Sequence, residues 1–382
     1  LAFFWAEENQ EITWEYRSCS YYFLFSFRGG FSMHMADALI SPVVGGAMWA
    51  VTAGLTLYSA KKLKENLDDS QTPLMGVLGA FIFAAQMINF TIPATGSSGH
   101  LGGGMILAIL LGPYSAFITM ASVLTVQALF FADGGLLALG CNIFNLGFFP
   151  CFIAYPIIYK QIAGESTTQR SIMAGAIMAS IVGLQMGALG VVFETLFSGI
   201  SELPFGAFLL LMQPIHLAIG IVEGLVTAAV VSFIWKARPE ILNMARTARP
   251  VGRLAIGNVL VGLLMVAAFT GGILSWFASE RPDGLEWSMF HTSGKEKLEP
   301  AEKGLHSLFA RLQEKTAFLP DYGFMKAEPD KPGEHESSSA EPEKKEPWPA
   351  VSAGTSLSGM VGGTMAMGLA GFIGFALKRR HR

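Results

Sequence analysis

Two histidines stand where their types and neighbours allow metal chemistry. His34 follows Met33 in "GGFSMHMADALISPVVGG", and His100 lies among glycines in "TIPATGSSGHLGGGM". With Met33 as first residue and its amine free, three nitrogens fall in one plane: that amine, the His34 backbone nitrogen and His34 Nδ1. They close fused chelate rings, and a second imidazole completes a four-nitrogen square of the kind that suits Ni(II) and Cu(II). Loss of the amide proton leaves an anionic nitrogen that offsets part of the dication's charge, which matters where desolvation is costly. His100 is the expected fourth donor. Taken singly, His34 reads equally as an interfacial residue and His100 as a loop residue bonded to backbone.

The chelate requires the chain to start at Met33. Glu7, Glu8, Glu11 and Glu15 precede a short apolar run, Tyr21 to Phe27. A secretory signal would instead open with a basic region, and a span would need about 20 apolar residues. "RGG" at Arg28 to Gly30 can be encoded by a purine-rich ribosome-binding sequence just before the Met33 codon. Residues 1–32 are therefore expected to be a non-native extension, with the bulky His34 protecting Met33 from removal.

Other polar groups sit in apolar surroundings, where burial is costly. Gln86 and Asn89 share a helix face, as do Asn142 and Asn145; His216 and Glu223 lie two turns apart in "QPIHLAIGIVEG". Each either orients the metal ligands or bonds a neighbouring helix. Asp37 either neutralises charge or caps the first helix.

These groups must be carried by membrane helices. Of 382 residues 52% are hydrophobic and 14% charged, with mean hydropathy +0.45, whereas soluble domains are roughly a quarter charged. Apolar stretches occupy 41–60, 73–91, 101–112, 113–131, 135–159, 171–198, 205–235, 254–277 and 351–377. The third is short and glycine-rich and reads as a broken span, a form tolerated inside protein or beside a cavity. Lys61, Lys62, Lys64, Lys160, Arg170, Lys236, Arg238, Arg246, Arg249, Arg253 and the terminal Lys378 to Arg382 cluster fall in alternate loops. The positive-inside rule then places the Met33 end outside and the C-terminus in the cytoplasm of a multi-pass plasma-membrane protein. His100 falls on the same external side as Met33. Gly46, Ala50 and Gly54 form a small-residue stripe on the first span, a docking face for a helix of this chain or of a partner.

Residues 281–350 are polar, and "AEPDKPGEHESSSAEPEKKEP" has the composition of a disordered linker. The expected fold is an all-α membrane protein, a seven-helix bundle followed by a two-helix C-terminal unit. The expected divisions are 1–32, 33–240 and 250–382, the last with an external loop over 280–350. A net charge of −3 gives no case for nucleic acid, and Cys19, Cys141 and Cys151 suggest neither disulfides nor a zinc site. No G-x-x-x-x-G-K-[ST] or H-E-x-x-H occurs, so the chain carries no P-loop of its own and no metalloprotease helix. A self-sufficient metal permease and a membrane metalloenzyme remain the competing classes.

"MHMADALIS", "FAAQMINF", "GSSGHLGGGMILAILLGP", "QALFFADGGLLALGCNIFNLG" and "HLAIGIVEG" resemble the nickel/cobalt-specific S components of energy-coupling-factor (ECF) transporters, from Met33 to about Lys236. "RPDGLEWS", "FLPDYGF" and the last glycine-rich span resemble the family's PDGLE-type accessory subunit, so the chain looks like a fusion of the two. The resemblance implies Ni²⁺ or Co²⁺ as transported substrate, held by the Met33 amine, the His34 amide and imidazole nitrogens, and His100. It also implies membrane lipid as surroundings and three protein partners, a transmembrane coupling protein and two ABC-type ATPases. The extension before Met33, which would consume its amine, and the long linker after Tyr322 depart from the family pattern.

Overall fold

The computed structural model describes residues 34–66, 70–164, 168–201, 203–247, 256–295, 298, 304–324 and 348–379. Residues 1–32, Met33, Cys19, Arg249, Arg253 and most of the polar linker lie outside the described residues.

Apolar chain in lipid must satisfy its backbone internally, which a helix does, and the apolar stretches accordingly form helices. These are α1 (Pro42–Asn66), α2 (Gln71–Gln86), α3 (Gly104–Leu111), α4 (Pro113–Phe131), α5 (Leu139–Ala163), α6 (Gln169–Ser198) and α7 (Phe205–Ala237). The short α8 (Pro239–Thr247) follows, then α9 (Gly257–Gly272), α10 (Gly284–Ser293), α11 (Leu305–Thr316) and α12 (Ala353–Arg379). Thr168 and Ser171 form a capping box at the start of α6, and Gly199 ends it in the left-handed conformation. In α5 the stretch Phe144–Tyr159 has the wider π-helical pattern and contains Pro150 and Pro156, neither of which can donate a backbone N–H.

Six described helices are long and apolar enough to cross a membrane by themselves: α1, α4, α5, α6, α7 and α12. Helices α2 and α9 have 16 residues each, and α3 has eight. All eight residues of α3 are buried, as suits a broken span surrounded by protein. Close packing depends on missing side chains. A Cβ on Gly224 of α7 would lie 2.7 Å from Ile177 Cα of α6, and one on Gly220 would lie 3.0 Å from Ile181 Cα.

The C-terminal helices pack closely on the preceding bundle. Helix α12 lies along α2, with α9 against both. A Cβ on Gly362 would strike the Phe83 ring, one on Gly359 would strike the Gly271 backbone, and one on Gly76 would lie 3.0 Å from Met367 O. The Gly46, Ala50 and Gly54 stripe is exposed, and nothing lies within 4 Å of a Cβ placed on Gly46 or Gly54. Helix α1 instead meets α5 through its other face, where Thr52 Oγ1 donates to Gly140 O at 2.8 Å.

Candidate metal centre

His34 enters the fold in a short irregular segment before α1 and is 5% exposed. Its Nε2 lies 3.0 Å from Gln127 Oε1 of α4 and 3.8 Å from Asp133 Oδ2. An amide oxygen only accepts, so this contact puts the imidazole proton on Nε2 and the lone pair on Nδ1. Gln127 Nε2 donates to Gln86 Oε1 at 3.0 Å, and Gln86 Nε2 donates to Gly102 O at 2.9 Å. One amide relay therefore connects His34 with the backbone beside His100. Asn142 of α5 clamps the next residue, accepting from Met35 N at 3.0 Å and donating to Met35 O at 3.1 Å.

His100 follows a two-strand hairpin in which Phe90 pairs with Gly99 and Thr91 with Ser98. Glu223 of α7 holds the glycines behind it, accepting from Gly102 N at 2.8 Å and Gly103 N at 3.1 Å. His100 Nδ1 lies 3.2 Å from Leu101 O; since a carbonyl only accepts, the lone pair belongs to Nε2. The two imidazoles meet edge to face with centroids 5.4 Å apart. Both line a cavity shared with Asn142, Asn145, His216 and Asp283. Among the described residues no three or more His, Cys, Asp or Glu side chains are grouped to hold a metal.

Asp283 comes from the polar region after α9, where it N-caps α10 by accepting from Glu286 N at 2.8 Å. Burial raises its carboxyl pKa, a shift opposed by the nearby His100. Its segment is stitched to the hairpin: Ser98 N donates to Pro282 O and Ser98 Oγ to Arg281 O, both at 2.7 Å. Gly284 lets it approach α7, since a Cβ there would lie 2.6 Å from Ile215 Cγ2.

The expected supporting residues divide. Gln86 and Glu223 lie behind the histidine loop, Asn142 behind Met35, and His216 in the cavity wall with Nδ1 donating to Met212 O at 2.8 Å. Asn145 lines the cavity and donates to the buried Glu194 of α6 at 2.7 Å. Asn89 does not share a helix face with Gln86, because α2 ends at Gln86; its carbonyl accepts from Ser279 N at 2.8 Å. Asp37 does not cap α1, whose first turn is met by Ser41 Oγ. It accepts from Ala138 N at 2.9 Å just before α5, and burial raises its pKa against the pull of that backbone bond. Sequence reasoning missed Gln127, Asp133, Glu194 and Asp283. Gln127 and Glu194 carry the signal that singled out Gln86, a polar side chain in an apolar helix. Asp283 lies in the "RPDGLEWS" stretch that carries the resemblance, yet only the fold brings that stretch to the cavity.

A buried His34 and a half-buried His100 whose rings meet inside a multi-pass helical membrane protein define a candidate for handling transition-metal ions. The family model described as "Cobalt uptake substrate-specific transmembrane region" matches residues 34–241, and the chain belongs to that family. A PDGLE domain matches residues 257–379. The fused nickel transport protein NikMN of Rhodobacter capsulatus is 32% identical over 317 residues, spanning 76% of this chain and 88% of that protein. The cobalt transport protein CbiM of Sorangium cellulosum is 26% identical over 230 residues, spanning 57% of this chain and 97% of that protein. A crystal structure of a truncated transition metal transporter is 30% identical, covering 54% of this chain and 99% of that one, with a TM-score of 0.48. By the family model and the Rhodobacter relative, the chain is a multi-pass membrane protein of a nickel and cobalt transport family.

Proposed function

We propose that the chain is the substrate-capture subunit of an ECF transporter, taking Ni²⁺ or Co²⁺ from outside for ATP-driven uptake, with its accessory subunit fused at the C-terminus. The observation that carries this reading is the His34 contact with Gln127. It leaves Nδ1 as the nitrogen with a lone pair, the atom that closes a chelate with the Met33 amine and the His34 amide. His100 Nε2 supplies the fourth nitrogen. The square of nitrogens leans towards nickel over cobalt.

In this reading the Met33 end is external, the C-terminus is cytoplasmic, and α1 to α7 form the seven-helix S-component unit with α9 and α12 as the accessory pair. The chain supplies no ATPase, so a coupling protein and two ABC-type ATPases drive it. The exposed Gly46, Ala50 and Gly54 stripe on α1 offers the coupling protein a face for close helix approach. The test is calorimetric Ni²⁺ and Co²⁺ titration of protein beginning at Met33, paired with cellular uptake of radioactive Ni²⁺ with and without the coupling-protein and ATPase genes. Binding with ATPase-dependent uptake is expected. Full uptake without the ATPases would identify a self-sufficient permease instead.

A further inference from the structure

The C-terminal region reaches His34 by a route separate from Asp283. Tyr322, 8% exposed, donates its hydroxyl to Asp133 Oδ2 at 2.6 Å, and the same carboxylate oxygen lies 3.8 Å from His34 Nε2. The phenol ring stacks on Phe131 at the end of α4, with centroids 5.2 Å apart and planes 19° apart. The backbone is bent to bring it there. Asp321 and Tyr322 have φ of 51° and 58°, a left-handed conformation that residues with a Cβ seldom adopt. The turn is tied down on both sides, by Leu319 N to Phe130 O at 3.3 Å and Gly323 N to Pro320 O at 3.0 Å.

The loop carrying Asp133 is held from the same direction. Gln313 of α11 donates to Ala128 O and Gly134 O, each at 2.8 Å. Gly134, with φ +82°, lies against the histidine: a Cβ there would be 2.8 Å from His34 Cβ and 3.0 Å from Asn142 Nδ2. Movement of this loop is thus transmitted directly to His34.

We propose that Tyr322 is a positioning residue of the metal centre: its hydroxyl fixes the Asp133 carboxylate, whose negative charge beside Nε2 reinforces the Gln127 contact that holds the His34 proton there and leaves Nδ1 as the donor. The C-terminal region then completes the site from behind, so its seating sets how tightly metal is held. This rests on His34 being a ligand. Carboxylates that orient a metal-bound imidazole matter to affinity by about 10–100-fold, and losing the hydroxyl that orients the carboxylate removes part of that effect.

The test uses the full chain beginning at Met33. Tyr322→Phe keeps the ring on Phe131 and removes only the O–H. Its Ni²⁺ affinity, measured by calorimetry, is expected to fall about tenfold. The ¹⁵N shift of His34 Nε2 in metal-free protein should move while the Gln127 contact still holds the tautomer, a local change that mere loosening of the C-terminal region would not single out. Asp133→Asn should reproduce both effects, and the double variant should add little to the larger single effect. Wild-type affinity and an unchanged His34 Nε2 shift in Tyr322→Phe would overturn the positioning role. Absence of Ni²⁺ binding by the wild-type protein, with the Nε2 shift still moving in Tyr322→Phe, would instead overturn the metal-capture reading alone.

Discussion

The imidazoles of His34 and His100 meet edge to face, with ring centroids 5.4 Å apart and planes 83° apart. Each ring has one nitrogen against an acceptor, Gln127 Oε1 for His34 and Leu101 O for His100. Each therefore keeps a lone pair on its other nitrogen. Under the proposed function this prepares the two rings for one cation, an outer acceptor setting the tautomer and the opposite nitrogen coordinating.

Substituting either ring should remove high-affinity binding without unfolding the protein. His34→Ala and His100→Ala each delete one of four proposed donor nitrogens, so Ni²⁺ affinity should fall by at least about 100-fold, beyond the usual effect of losing an outer partner. Circular dichroism should still show a helical membrane protein. Unchanged calorimetric affinity in either variant would eliminate the site.

The Met33 amine is the donor most easily withdrawn. Protein purified from its native host is expected to begin at Met33 with an unblocked amine, which intact-mass analysis reads directly. A chain made to start at Leu1 should bind Ni²⁺ far more weakly although its helices fold alike. Equal affinity for both forms would mean that the terminus takes no part.

Glu223 is expected to act through the histidine loop. Its carboxylate accepts from two backbone amides, Gly102 N and Gly103 N. Glu223→Gln turns an NH₂ group towards one of those donors, an unmet buried bond costing about 1–3 kcal/mol. Ni²⁺ affinity should drop by about 10-fold or more, with the loop exchanging its amide hydrogens faster. Affinity and exchange at wild-type levels would show that the loop is held by other contacts.

Removing residues 278–382 should leave a protein that still binds metal, because His34 and His100 both lie before the cut. Binding should be weaker, since Asp283 leaves the cavity and Gln313 no longer holds Ala128 O and Gly134 O. Uptake in cells should be impaired. Transport at the full rate by the shortened chain would assign the C-terminal region some other role.

The seam between α2 and α12 tests the packing of the two matched regions. Gly362→Leu forces a branched side chain against the Phe83 ring, an overpacking that costs about 1–3 kcal/mol. The unfolding temperature in detergent should fall, and α12 should become more open to protease. No change in either would mean that the seam is looser than the close approach of Gly362 implies.

Much of this protein was legible before any coordinates. Apolar runs lie close to the helices they form: the run over 113–131 coincides with α4 (Pro113–Phe131), and the run over 205–235 nearly fills α7 (Phe205–Ala237). Helix formation in lipid depends on length and apolar content, which are properties of the run itself. His34 and His100 were equally visible, because titratable residues beside flexible glycines stand out in so apolar a chain. Which helices touch was not visible. A helix apolar on all sides has no face marked for the core, and in lipid helices associate by shape and close approach instead of by burying apolar surface. The glycines on α1 thus promised a contact and remain exposed, while Gly76 and Gly362 made the α2–α12 seam. The outer partners of the histidines were hidden for the same reason. Gln127 bonds His34, and Asp283 reaches the cavity from the far end of the chain, only because the tertiary packing brings distant segments together. The sequence by itself determined where the apolar helices run, six of them long enough to span, and set two histidines beside them; the packing decided which nitrogen of each ring keeps its lone pair, because that depends on an acceptor supplied by the surrounding fold.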